Sequence, residues 1–142
     1  MAEVTVDTAK DLWVDANVLI RVITGEPPEM ASRALALARR SQSGELTLYL
    51  SALVVAEVVW VLRSFYHFTR CQITEALMLV VTAEGVVVEE QEAVVVALRA
   101  MADKNVDFAD AFLAEKARAL GHAVCTFDRD FRRLNVDVVE PA

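Results

Sequence analysis

Five short apolar runs, separated from one another by helical stretches, constrain this chain more than any other feature. They fall at residues 12–14, 46–50, 86–88, 123–126 and 136–139. Between them the apolar residues recur with helical period over 29–40, 52–66, 69–83, 90–102 and 107–120, and a short helix is expected at 129–134. Local signals agree with these boundaries. Gly25-Glu26-Pro27-Pro28 is a break, Ser51, Thr69 and Asp107 are N-cap residues, and Gly85 and Gly121 are stops. Strands joined through helices pair in parallel, and a parallel sheet needs both faces covered. The pattern therefore predicts an α/β fold with a mostly parallel central sheet. At 142 residues, with no repeat and no linker, it reads as one domain over 1–142, large enough for a real core.

The polar residues fall at informative places in that scheme. Leu12, Trp13 and Val14 read as a strand buried on both faces, and Val18, Leu19 and Ile20 open a helix. Between them stand Asp15 and Asn17. Ligands of parallel sheets bind outside the strand C-termini, where Asp15 falls, and a carboxylate shielded there from bulk water needs a partner. Asp15 is equally a good N-cap for the helix that follows. Asp128 has the same placement after the fourth strand, in Thr126-Phe127-Asp128-Arg129-Asp130-Phe131. Glu57 is the lone charge in a helix that looks apolar nearly all round, and Arg63, six positions on, is off its face. Such a carboxylate is protonated, paired at long range, or aimed at a cation. In Asp107-Phe108-Ala109-Asp110-Ala111 the two acids resemble a cap with a dipole-favoured acid behind it. Small neighbours at 109 and 111 also leave Asp110 open to close approach.

Four segments can thus bring Asp15, Glu57, Asp110 and Asp128 to one edge. Carboxylates gathered this way repel one another and are stable with cations. Oxygen-only ligands suit Mg²⁺ or Mn²⁺, and a pair of such ions is a clamp for phosphodiester hydrolysis. Arg129, Arg132 and Arg133 follow Asp128 at once, either as phosphate contacts or as a solvated surface helix. The net charge of −7 argues against a nonspecific nucleic-acid coat, but acids that hold metal add to that count without repelling substrate once neutralised. Cys71 and Cys125 form no disulfide framework or zinc spacing, and His67 and His122 stand apart from them. Both cysteines read as small core residues in a reducing cytoplasm. No uncharged apolar run approaches ~18 residues, so no membrane span is expected. Residues 1–7 lack the basic start and apolar segment of an export signal.

Taken together the motifs resemble a PIN-domain ribonuclease, most closely the VapC-type toxins of toxin–antitoxin pairs, over residues 12–139. Val14-Asp15-Ala16-Asn17-Val18-Leu19 is similar to the first motif of that family. Glu57, in the helix opened by Ser51-Ala52-Leu53, falls at the second acid. Phe108-Ala109-Asp110-Ala111 is similar to the third motif and Thr126-Phe127-Asp128 to the fourth. The resemblance implies a three-layer α/β/α sandwich, Mg²⁺ or Mn²⁺ dependence, RNA as substrate, frequent homodimers and a cognate antitoxin protein. Carried over, Asp15, Glu57, Asp110 and Asp128 hold metal, Asn17 and Thr126 support the site, and Asp107 and Asp130 are accessory. Surplus apolar surface on the 69–83 helix also predicts a homodimer or an antitoxin-covered face. Two alternatives stand beside this. One is a PIN-like binding module without turnover, against which four intact acids argue. The other is a receiver- or phosphatase-like domain phosphorylated on Asp15, which lacks a second Asp at position 17 and a Lys near the last strand tip.

Overall fold

The computed structural model describes residues 9–142; residues 1–7, considered above for an export signal, lie outside them. The described chain runs β1 (Asp11–Trp13), α1 (Ala16–Thr24), α2 (Pro28–Gln42), β2 (Thr47–Leu50), α3 (Ala52–Ser64), α4 (Arg70–Val81), β3 (Val86–Val88), α5 (Gln91–Lys104), α6 (Phe108–Ala119) and β4 (Val124–Cys125). A short 3₁₀ helix, Arg129–Arg133, and β5 (Val138–Val139) complete it. The cap residues set these limits. The Ser51 hydroxyl accepts the Val54 N–H, and Thr69 with Gln72 forms a reciprocal capping box. Gly25 closes α1 in the left-handed region, where glycine carries no Cβ penalty.

The architecture is the three-layer α/β/α type. Every strand pair is parallel, as the helical crossovers require. β2 lies between β1 and β3, with Trp13 opposite Tyr49 and Leu48 opposite Val86. β4 and β5 form a separate two-stranded ladder, Val124 opposite Val138. One core cluster joins Leu48 and Leu50 of β2 to Leu19 and Ile20 of α1, Val55, Val58 and Leu62 of α3, and Ile73, Leu77 and Val81 of α4. Burying each such side chain contributes about 1.5–3 kcal/mol. Gly85, at φ +83°, lets the start of β3 abut the end of α2: a Cβ there would sit 2.1 Å from the Ser41 carbonyl oxygen.

Three expectations about burial are corrected. β1 is not buried on both faces. Leu12 faces inward, but Trp13, one residue on and therefore on the opposite face, is 63 % exposed and stacks on Tyr49 across the β1–β2 pair at 5.2 Å. Likewise, α3 is not buried all round. Val55, Val58, Val59 and Leu62 face the core while Leu53 and Trp60 are largely exposed. Cys71 and Cys125 are exposed rather than core residues: Cys71 lies in the first turn of α4, off its buried face, and Cys125 alternates outward from buried Val124. On α4 the core takes Ile73, Leu77 and Val81, and Leu79 is left 77 % exposed. Among the described residues no helix is long and apolar enough to cross a membrane.

Candidate active site

The acids singled out in the sequence fall in two groups; Asp15, Glu57, Asp107 and Asp128 are exposed, and Asp110 and Asp130 are half-buried. The first lies between α1 and α3. Asp15, Asn17 and Glu57 line a cleft of about 430 Å³ together with Arg21, Phe65 and Tyr66. Asp15 does cap α1: its Oδ1 accepts the Val18 N–H at 3.3 Å. It is exposed, not sealed behind the strand, although Val14 just before it is buried and its N–H still donates to the Tyr49 carbonyl at 3.1 Å. Glu57 is also exposed and faces this cleft, on the side of α3 away from Val55, Val58 and Leu62. Neither forms an ion pair among the described residues, and Arg63 does not approach Glu57, as the six-residue spacing required.

The second group gathers around Asp110. Burial of Phe108, Ala111 and Ala114 fixes how α6 is rotated, and Phe108 stacks on Phe112 one turn along the same helix. Asp110 sits half-buried at the border of that face. Burial raises its carboxyl above the ordinary carboxylate range, and the charges of Asp107, Asp128 and Asp130 add to the rise. Two chain segments, the start of α6 and the loop after β4, therefore bring four acids into one electrostatic neighbourhood. Asp15 and Glu57 are not among the charges that act on Asp110. The two groups are linked through the packing of α3 against α6.

Local hydrogen bonds hold this second group. The Asp128 N–H donates to the Thr126 hydroxyl at 2.9 Å, and the Asp128 carboxylate accepts the Asp130 N–H at 2.9 Å. Thr126 therefore supports the loop that carries Asp128. Asp107 departs from expectation: its side chain makes no cap hydrogen bond and instead pairs with Arg70 at 2.9 Å. Arg70, at the start of α4, also donates to the Asn105 side chain at 2.8 Å and so pins the turn that enters α6. Of the three expected phosphate-binding arginines, Arg133 pairs with Asp130 at 3.3 Å and donates to the Asn105 carbonyl. Arg129 and Arg132 are exposed.

A profile of the PIN domain matches residues 12–137, nearly the full length of the chain. The chain belongs to the PIN-domain family. No curated protein matches it. Among solved structures, VapBC2 from Rickettsia felis, bound to a DNA fragment from its promoter, aligns with 16 % identity over 92 % of this chain and 98 % of that chain. Its TM-score of 0.37 is too low for that likeness to bear on partner or activity.

In this PIN domain the donors at both groups are carboxylate oxygens, the type that Mg²⁺ and Mn²⁺ accept. Among the described residues no three potential ligands stand close enough together to form a ready-made cage. The second group is open, and a cation there would relieve the repulsion between Asp110 and Asp128 that the Arg70 and Arg133 pairs leave in place. Sequence reasoning missed Arg21, Phe65 and Tyr66 as cleft residues, although spacing carried a signal. Arg21 is one turn after Asn17, and Phe65 is two turns after Glu57, each on the same helix face.

Proposed function

We propose that this PIN domain is a metal-dependent endoribonuclease and the toxin of a toxin–antitoxin pair. The observation that carries the reading is Asp110, a half-buried carboxyl raised by burial and by three neighbouring acids from two segments. Asp107 and Asp130 have arginine partners, but Asp110 and Asp128 form no ion pair among the described residues, and a cation-binding role explains why two unpaired acids are kept together. Asp110 and Asp128, with Asp15 and Glu57 from the neighbouring cleft, are the residues that hold Mg²⁺ or Mn²⁺. The chemistry supplied by such ions is activation of water and neutralisation of charge on the phosphodiester oxygens. Thr126 keeps the Asp128 loop in place, and Arg70 keeps Asp107 paired and to one side. Asn17 donates to substrate from the cleft wall, and Arg129 and Arg132 are free to attract the RNA backbone.

A protein partner is supported by apolar surface. A second cavity, about 240 Å³, opens between α1, α2 and α4, with Val18, Leu37 and the exposed Leu79 in its wall. Apolar side chains of an antitoxin or of a second copy fit such a lining. The reading is tested by incubating purified protein with single-stranded and structured RNA in Mg²⁺, Mn²⁺ or EDTA. Metal-dependent products that disappear with Asp110→Asn and with Asp15→Asn are expected. No metal-dependent product from any RNA would refute it.

A further inference from the structure

The cleft between α1 and α3 has a basic and aromatic end that the acids do not account for. Among the described residues, Arg21 is the only cation in its lining. Its Nη1 donates to the Glu26 carbonyl at 3.2 Å and to the Tyr66 hydroxyl at 3.5 Å. Its Nε is buried and, among the described residues, has no hydrogen-bond partner. Asp15 and Glu57 line the same cleft, yet Arg21 forms no ion pair among the described residues. The buried Nε is out of a ligand's reach, but Nη2 makes no hydrogen bond among the described residues, and a guanidinium held on neutral oxygens with that donor left over is suited to an incoming anion.

Phe65 stands at the same end. It follows the last turn of α3, is 67 % exposed, and is held edge-to-face by Trp60 at 5.8 Å. An exposed ring with one side braced is a platform on which an unpaired base can stack. From Glu57 to Phe65 is eight residues of helix axis, roughly 12 Å at 1.5 Å per residue. The acid end and the aromatic end are therefore far enough apart to be occupied at once by different parts of one strand.

We propose that this end of the cleft is a subsite for one unpaired nucleotide, with Arg21 and the Tyr66 hydroxyl on a phosphate and Phe65 on the base. It rests on the nuclease reading for its meaning, since the nucleotide bound here is the neighbour of the phosphate presented to the acids. A base in a duplex cannot turn onto Phe65, so occupancy of this subsite requires an unpaired nucleotide. Arg21 and Phe65 are specificity residues, not catalytic ones.

The test is filter binding of a short single-stranded RNA and of its duplex, in Mg²⁺, in an Asp110→Asn background that leaves bound RNA intact. Phe65→Ala is expected to weaken single-strand binding roughly tenfold, within the range for loss of one stacked base, and to leave duplex binding unchanged. Phe65→Trp restores the affinity. Arg21→Gln is expected to weaken binding and to reduce the salt dependence by about one phosphate contact. Phe65 is exposed, so its variants should melt with the parent, and Phe65→Leu checks that the end of α3 is intact. Unchanged single-strand binding by Phe65→Ala overturns the subsite, as does an equal loss for duplex or an absence of single-strand binding by the parent. Binding that depends on Phe65 in a protein whose native sequence cuts nothing upholds the subsite and refutes the nuclease reading. Metal-dependent cleavage with binding indifferent to Phe65 does the reverse.

Discussion

Asp110→Asn should stabilise the metal-free protein and destabilise the metal-loaded one, relative to the native sequence. Asp110 is half-buried in the first turn of α6, and its carboxyl is raised by burial and by Asp107, Asp128 and Asp130. A carboxyl whose folded value lies above its unfolded value makes ionisation costlier in the folded state. The folded chain then binds more protons between those two values, so stability falls as pH rises through that window. The penalty is fully present once the pH exceeds the raised folded value and is gone well below the ordinary value of 3.8. At a site this open to solvent, relief of the repulsion is worth only ~0.2–1 kcal/mol. Loss of an acid from the first turn of a helix costs ~0.3–1 kcal/mol in the other direction. The raised carboxyl indicates that burial and repulsion prevail, so the net gain in EDTA is small, about 0.5 kcal/mol, a degree or two of melting temperature for a chain this size. In Mn²⁺ at a hundred times its dissociation constant, the native sequence gains about 2.7 kcal/mol by mass action, and the variant should lose most of that. Thermal melts of both proteins in EDTA and in Mn²⁺ at pH 7, and of the metal-free proteins well below pH 3.8, should therefore show the order reverse with metal and the metal-free difference vanish in acid. A variant that is less stable in EDTA and gains as much from Mn²⁺ as the native protein would show that Asp110 is a structural acid.

Other outcomes follow from local geometry. Gly85→Ala should cost the left-handed strain of about 1–3 kcal/mol that Gly44→Ala also pays, plus about 1–3 kcal/mol for displacing the Ser41 carbonyl. Urea melts that give the two variants equal losses would remove the close contact from consideration, since Gly44 has nothing within 4 Å of a built Cβ. Thr126→Val leaves the Asp128 N–H without its hydroxyl acceptor and should cost about 0.5–1.5 kcal/mol while lowering kcat on RNA more than it raises KM. Steady-state kinetics with unchanged kcat would detach Thr126 from the site. Leu62→Ala, at a fully buried position of α3, should cost about 2–5 kcal/mol in the same melts without altering metal affinity.

Much of the fold was legible because its boundaries are written in local chemistry. Ser51, the Thr69–Gln72 box and Gly25 act within a few residues of themselves, so their effect is readable without knowing the tertiary structure. Exposure is not local in that sense. Leu53, Trp60 and Leu79 look like core residues in a window of sequence, and only the position of the neighbouring elements shows that nothing described covers them. The same limit shaped the site. Asp107 reads as a cap, but Arg70, brought in from the start of α4, takes its carboxylate. Asp128 was legible with its supporting Thr126 because that contact spans two residues. Arg21 and Phe65 were overlooked because they share a cleft only once α1 and α3 are packed together.

Both tryptophans of this protein lie at the surface, Trp13 beside Tyr49 and Trp60 beside Phe65. Their indoles already emit from a watery environment in the native state, so the colour of intrinsic fluorescence will shift little when the core melts. What changes is contact with a neighbouring ring. Trp13 becomes an optical monitor of the β1–β2 pairing, and Trp60 of the ring on which a base would lie. An oligonucleotide that quenches Trp60 while leaving Trp13 bright would report its own docking, with no label attached to either molecule.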